Sequence, residues 1–95
     1  MYDKKVLHLL DKIIESVEVI LERTETVDSV NAFLDSSTGT LLLDGVCMKL
    51  IAVGESIKNL DKLTTGGLLV HYPQISWREV MGMRDIIVHH YFEVD

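Results

Sequence analysis

Two long segments of the chain place apolar residues at the spacing of an α-helix. In residues 3–23 and again in residues 38–60, apolar side chains recur every three or four positions, so they share one side of a helix. They are Val6, Leu9, Leu10, Ile13, Val17, Ile20 and Leu21 in the first segment, and Leu42, Val46, Leu50, Val53 and Ile57 in the second. Asp3 suits the N-cap of the first helix. Because an amphipathic helix buries its apolar side against a neighbour, the pattern predicts an all-α fold.

The segments between these helices predict shorter elements. Residues 24–39 are polar and predict a loop with one short turn around residues 30–34. Residues 61–76 predict a connection that is broken at residues 64–67 and contains a short turn over residues 68–70.

A further long helix is expected near the C-terminus. Ser76 suits its N-cap, and Glu79 three residues later completes a capping box. We expect this helix to begin at Trp77 and to continue without interruption through the last charged motif of the chain. Three long amphipathic helices predict an antiparallel bundle.

Two glycines lie inside the second predicted helix. Gly45 and Gly54 each cost that helix about 1 kcal/mol relative to alanine. Either the glycines allow another helix to approach closely, or they are merely tolerated. The sequence leaves both interpretations open.

Length and charge limit the class of protein. With 95 residues, the chain is expected to form a single domain that spans residues 1–95. Its net charge of −6 argues against non-specific nucleic-acid binding through a basic face, but it is compatible with a small cluster that holds one phosphate. The sequence has no apolar run of the ~20 residues that cross a membrane and no signal peptide pattern, so we expect a cytoplasmic protein.

Cys47 is the single cysteine of the chain. It cannot form an internal disulfide, which fits a reducing compartment. Because it lies in an apolar helical pattern, we interpret it as a small core residue rather than a nucleophile.

The most informative polar motif consists of Arg84, His89 and Tyr91, in the pattern R-x(4)-H-x-Y. Arginine offers a planar fork of donors that matches a phosphate, and histidine takes and returns a proton near neutral pH. The two residue types suit cleavage of RNA without a metal. The histidine would activate the ribose 2′-OH, and the arginine would stabilise charge on the phosphoryl oxygens.

The geometry of this motif leaves its assembly open. In an ideal helix, Arg84 and His89 lie about 140° apart around the axis. Either the helix ends near His89 or a second subunit supplies part of the site, and we favour a twofold axis with two pairs around one cleft. Structural roles are also open, since Arg84 and Asp85 could form a solvated pair and His89 and His90 favour the negative end of a helix. The histidines and carboxylates show no metal-ligand spacing, so no metal site is predicted.

Three stretches of the chain carry a resemblance to a known family. They are "LIAVGESIKNL" (residues 50–60), "HYPQISWREVMGMRD" (residues 71–85) and "RDIIVHHYFEVD" (residues 84–95). They are similar to a helix with an I-G-E-A core, a P-x-I-P-W segment and the signature motif of the HepT-like branch of the HEPN superfamily. Ser76 replaces the usual proline of the second stretch. The resemblance covers nearly the whole chain and is closest from Pro73 onward.

The resemblance implies an antiparallel HEPN-type bundle of the up-and-down four-helix type, usually a homodimer. It implies a metal-independent endoribonuclease that acts on RNA as the toxin of a type II toxin–antitoxin system, neutralised by an MNT-type nucleotidyltransferase antitoxin. Arg84 and His89 match the catalytic pair, and Asp85 matches the polar position after the arginine. Tyr91 matches the tyrosine that the antitoxin modifies with AMP in some members. No cofactor, metal or DNA partner is expected.

Some residues depart from the family pattern or have two interpretations. Family members continue into a further helix, whereas this chain stops at Asp95, so the C-terminal helix of the bundle is expected to be missing. Glu55 lies in an apolar stretch and either orients Arg84 through an ion pair or faces water. Trp77 and Tyr72 could stack bases, but we interpret both as packing residues at the entry to the last helix.

A second function is compatible with the same residues. A non-catalytic HEPN module could dock a nucleotidyltransferase or a nucleotide. The acidic charge balance and the expected missing helix favour this alternative, whereas the intact Arg84, His89 and Tyr91 favour the ribonuclease.

Overall fold

The chain folds entirely into helices and loops over the residues that the structure describes. The structure is a computed structural model that describes the backbone of residues 3–93 and the side chains of residues 3–89. The elements are α1 (Lys4–Arg23), α2 (Val30–Leu34), α3 (Ser37–Leu63), a 3₁₀ helix (Leu69–His71), α4 (Trp77–Met81) and α5 (Met83–Glu93). Within this part of the chain there is no strand, so the predicted all-α class is confirmed, and the arrangement is consistent with a HEPN-type bundle.

Side-chain caps determine where the first three helices begin. The Asp3 carboxylate accepts a hydrogen bond from the Val6 N–H at 3.1 Å, which confirms the predicted N-cap of α1. Ser29 and Ser36 accept in the same way from backbone N–H groups three residues later and start α2 and α3. Each cap satisfies a backbone donor that has no partner within its helix.

The hydrophobic core lies mainly between α1 and α3. Val53, Ile57 and Leu60 of α3 are buried against Val6 and Ile13 of α1. Leu69 of the 3₁₀ helix joins the same core cluster. α3 also packs against α2, α4 and α5, so it is the central helix of the described structure.

The end of α3 lies three residues beyond the predicted one. The helix ends at Leu63, and the Thr64 hydroxyl donates to the Leu60 carbonyl at 2.9 Å. Thr65 and Gly66 then adopt the left-handed conformation, with φ of 54° and 72°. These two residues do not continue the right-handed helix, which confirms the predicted break at residues 64–67.

The last helix is interrupted, which corrects the expectation of one continuous helix from Trp77. Gly82 has φ −90° and ψ 11°, and it separates α4 from α5. Its N–H donates to the Arg78 carbonyl at 3.0 Å, which closes α4. Glycine has a low helix propensity, so interrupting the helix at Gly82 costs less free energy than interrupting it at a neighbouring residue.

The predicted capping box at the start of α4 is wrong. Ser76 occupies the N-cap position, but its side chain makes no capping hydrogen bond. Its backbone carbonyl instead accepts from the N–H groups of Glu79 and Val80, each at 3.1 Å. Backbone hydrogen bonds therefore start this helix.

The junction between α4 and α5 lies against α3 at Gly54. A Cβ built on Gly54 would lie 2.7 Å from the backbone oxygen of Val80 and 3.4 Å from the Cβ of Met83. By contrast, a Cβ on Gly45 would meet nothing within 4 Å. Close helix approach is thus confirmed for Gly54, whereas Gly45 faces open space.

Several large apolar side chains remain exposed. They include Leu7, Ile14 and Leu21 of α1, and Leu41 and Met48 of α3. Across the part of the chain that the structure describes, no helix has an apolar stretch long enough to cross a membrane.

Replacing Gly54 by alanine is expected to lower the free energy of unfolding by about 1–2 kcal/mol, because the new Cβ meets a backbone oxygen that cannot rotate away. The matched Gly45→Ala change should raise the free energy of unfolding by up to about 1 kcal/mol, because it adds helix propensity without a clash. Urea unfolding followed by far-UV circular dichroism measures both. A Gly54→Ala variant as stable as Gly45→Ala would contradict the close approach.

Candidate functional site

The first turns of α5 place the charged residues of the motif on the surface. Arg84 and Asp85 lie in the first turn, and His89 follows Asp85 by one turn. A carboxylate in the first turn is favourable because the N-terminus of a helix carries partial positive charge. The side chains of all three residues are exposed, so they are accessible to a ligand.

Arg84, Asp85 and His89 line one open depression with a volume of about 610 Å³. Ile86 and Val88 complete the lining among the described residues. Although Arg84 and His89 are about 140° apart, Val88 and Asp85 project at intermediate angles and fill the arc between them. The predicted pair therefore borders the same concave surface, with a carboxylate and an apolar side chain in between.

Ile86 and Val88 are site residues that the sequence did not reveal. They are 47% and 42% exposed, although both are apolar. The signal was available for Val88, because it lies four residues after Arg84 and therefore on the same side of the helix. The apolar residues of this last helix do not gather clearly on one side, however, so the sequence does not distinguish Ile86 and Val88 from core residues.

Glu55 does not lie in an ion pair with Arg84. Its Oε2 lies 3.8 Å from the Nζ of Lys58, one turn later on α3, and both side chains are about half exposed. No ion pair between the described side chains joins Glu55 to the motif. Of its two open roles, the position at the solvent surface is the one that this geometry favours.

One residue of the motif and one of its neighbours fall outside the described side chains. They are Tyr91 and His90, whose side chains come after residue 89. The predicted role of Tyr91 therefore stays a prediction.

Cys47 has the properties of a structural thiol. It is partly buried in α3, and burial together with the nearby Asp44 carboxylate raises the pKa of its thiol. A higher pKa lowers the thiolate fraction that would act as a nucleophile. This supports the interpretation of Cys47 as a packing residue.

The described side chains also contain no group of three or more histidine, cysteine, aspartate or glutamate residues close enough to hold a metal ion.

Trp77 stabilises the entry to α4. Its Nε1–H donates to the backbone oxygen of Tyr72 at 2.9 Å, across the turn that contains Pro73. The hydrogen bond links the first residue of α4 to the end of the preceding 3₁₀ helix. This supports a packing role for Trp77 rather than base stacking.

Comparison with known proteins supports the resemblance seen in the sequence. A family model described as "Ribonuclease HepT-like" matches residues 13–95. A protein of Thermococcus cleftensis named "Probable ribonuclease HepT" is 33% identical over 86 residues, covering 90% of this chain and 71% of the relative. No solved structure gives a significant match.

In two further relatives, the matched region makes up different shares of the protein. A Methanocaldococcus jannaschii protein named "Gamma-glutamylcyclotransferase and putative RNase" is 36% identical over 92 residues, which cover 97% of this chain but 38% of the relative. A protein of Caldanaerobacter subterraneus subsp. tengcongensis named "Putative RNase" is 29% identical over 86 residues, covering 90% of this chain and 70% of the relative. The chain thus spans little more than a third of the first relative and about 70% of the second.

Proposed function

Because the chain belongs to the ribonuclease HepT-like family, we propose that it is a metal-independent endoribonuclease with Arg84 and His89 as its catalytic pair. The observation that carries this proposal is that Arg84, Asp85 and His89 line the same open depression on α5.

The chemistry of the proposed site follows from the two residue types. His89 accepts the proton of a ribose 2′-OH, and the 2′-oxygen attacks the adjacent phosphorus. The bond from phosphorus to the 5′-oxygen breaks, and that oxygen takes up a proton, which leaves a 2′,3′-cyclic phosphate and a 5′-OH. Arg84 binds the scissile phosphate and offsets the charge that grows on its non-bridging oxygens. Asp85, one helical turn before His89, is the proposed supporting residue of the pair.

The segment around Arg84 is less acidic than the chain as a whole. Residues 77–89 contain two arginines, Arg78 and Arg84, and two carboxylates, Glu79 and Asp85, so the formal charges of this segment cancel. The whole net charge of −6 therefore comes from other parts of the chain. A phosphate that approaches Arg84 meets no net negative charge from α4 and the first turns of α5.

The proposed active form is a homodimer around a twofold axis near α5. A depression lined by a single helix is open on one side, and a second copy would close it and bring two Arg84–His89 pairs together. The exposed Ile86 and Val88 at its border provide apolar surface for such a contact.

We further propose that the chain is the toxin of a two-gene toxin–antitoxin system. Its antitoxin would be an MNT-type nucleotidyltransferase that transfers AMP to Tyr91. An AMP group near Arg84 and His89 would add bulk and negative charge at the RNA site and thereby repel the substrate. This part of the proposal rests on the family resemblance of the motif.

Replacing Arg84 or His89 by alanine is expected to lower the rate of RNA cleavage at least about 100-fold, because each removes charge stabilisation or proton transfer. Arg78→Ala and His71→Ala are matched controls, since they remove an exposed arginine and an exposed histidine outside the depression. Cleavage of a labelled RNA in the presence of EDTA measures all four variants. Parent-level cleavage by His89→Ala would rule out its role, and loss of cleavage with EDTA would rule out the metal-independent mechanism.

Sedimentation velocity is expected to show a dimer for the parent chain at micromolar concentration. Val88→Asp should shift it toward the monomer, because a charge would be buried at the twofold contact. Met48→Asp is the matched control on α3, since Met48 is exposed and lies outside the depression. A parent chain that sediments only as a monomer contradicts the proposed assembly.

Induced expression of the chain in bacteria is expected to stop growth and degrade RNA, whereas Arg84→Ala should allow growth at the same level of folded protein. Co-expression of a neighbouring nucleotidyltransferase gene should restore growth for the parent but not for Tyr91→Phe, which lacks the acceptor oxygen. Rescue of Tyr91→Phe would remove Tyr91 from the antitoxin mechanism. Equal growth of the parent and Arg84→Ala would instead favour a non-catalytic module that docks a nucleotidyltransferase or a nucleotide.

A further inference from the structure

A second depression lies where the start of α1 meets the end of α3. It has a volume of about 380 Å³ and is lined by Lys5, His8, Leu9, Asn59, Lys62 and Leu63. It shares no residue with the depression on α5. Its polar side chains are two lysines, one histidine and one asparagine, and all of these residue types donate hydrogen bonds. The lining therefore has the donors that an anion requires.

Among the described residues, no carboxylate borders this depression. Three carboxylates lie close in sequence to its lining residues, and each of them is placed elsewhere. The Asp3 carboxylate accepts the hydrogen bond that caps α1. Asp11 lies about 120° from Lys5 around the axis of α1, and Asp61 lies on α3. Around that axis Asp61 is about 160° from Asn59. The positive charge of the depression is thus local and does not depend on the charge balance of a whole helix.

Lys5 and Lys62 bring two positive charges to the depression from different helices. Neither lysine forms an ion pair with a described side chain. Like charges in one depression repel each other, and an anion bound between them offsets that repulsion. The exposed His8 and Asn59 supply further N–H donors for the oxygens of such an anion.

We propose that this depression binds a terminal phosphate, of either a nucleotide or an RNA end. A phosphate monoester carries a charge of about −1.5 to −2 at neutral pH and three acceptor oxygens, so it matches two lysines and the neighbouring N–H donors. A phosphate inside an RNA strand carries a charge of only about −1 and leaves part of the lysine charge unbalanced. The partly buried Leu9 and the 46% exposed Leu63 offer apolar surface to the uncharged part of the ligand.

The test uses the full chain with Arg84→Ala, which removes the proposed RNA cleavage and the proposed phosphate contact on α5. Isothermal titration calorimetry compares 5′-AMP with adenosine, which lacks the phosphate. The Kd of 5′-AMP is expected to be at least about tenfold lower, with a difference that shrinks as salt is added. Equal Kd values, or no binding of 5′-AMP, would overturn the proposal. This inference does not rest on the proposed ribonuclease activity, because the variant used here needs none.

Two lysine variants locate the bound phosphate. Lys5→Gln and Lys62→Gln should each raise the Kd of 5′-AMP about fivefold, because each removes one positive charge and keeps a similar side-chain length. Lys4→Gln is the matched control, since Lys4 is an exposed lysine of α1 outside the depression. Circular dichroism checks that the helix content is unchanged. An equal effect of Lys4→Gln and Lys5→Gln would show a response to net charge alone and would contradict the site.

Two short RNAs distinguish the sources of the phosphate, one with a 5′-phosphate and one with a 5′-hydroxyl. A lower Kd for the 5′-phosphate RNA that is lost in Lys5→Gln assigns the site to RNA ends. Equal Kd values for the two RNAs, with 5′-AMP still bound, assign the site to free nucleotides. If 5′-AMP does not bind but the 5′-hydroxyl RNA binds and is weakened by both lysine variants, the depression contacts the RNA backbone, which contradicts the assignment to a terminal phosphate.

Discussion

The candidate site depends on one close contact between backbones, where α3 meets the α4–α5 junction. At Gly54 the Val80 carbonyl oxygen lies 2.7 Å from the place of a Cβ, so only glycine allows this approach. Met83 contacts the same point from the first residue of α5, and Arg84 follows it directly. Because the inner side of α5 is held against Gly54, the strip from Arg84 to His89 is directed outward. The orientation of the motif therefore follows from a residue about 30 positions earlier in the sequence that takes no part in the proposed chemistry.

The sequence predicted the elements that follow from a periodic pattern and missed those decided by packing. α1 and most of α3 were predictable, because their apolar residues repeat with the helical period and Asp3 caps α1. The interruption at Gly82 was not predictable. Glycine permits a break in a helix without requiring one, and the contact at Gly54 decides where the chain bends. The capping box failed for a local reason. Ser76 has ψ of 81°, whereas the residues that do cap, Asp3 and Ser36, are extended, with ψ of 177° and 161°.

Residue types identified the candidate site better than spacing did. Arg84 and His89 stand out because arginine binds phosphate and histidine transfers protons near neutral pH. Their separation by five residues, however, did not predict that both would border one surface. In the structure the intermediate side chains fill the arc between them, so both border one depression. For Glu55, by contrast, the residue type suggested a role that the structure does not favour. Its charge suggested a partner in the site, but Lys58 lies one turn away on the same helix, and a local pair forms more easily than one between two helices.

Packing around α3, rather than net charge, sets the candidate site apart from the rest of the structure. α1 is buried against Val53, Ile57 and Leu60 of α3, whereas the α4–α5 junction contacts Gly54, and neighbouring residues on a helix project about 100° apart. α1 and the α4–α5 junction therefore meet α3 at residues that project in different directions, although Trp77, Val80 and Met81 also pack against the core between α1 and α3. The four carboxylates of α1 are matched in number by Lys4, Lys5, Lys12 and Arg23, so formal charge does not distinguish α1 from the segment around Arg84. The residue types Arg84 and His89, rather than the net charge of a helix, are therefore what mark α5 as the proposed RNA site.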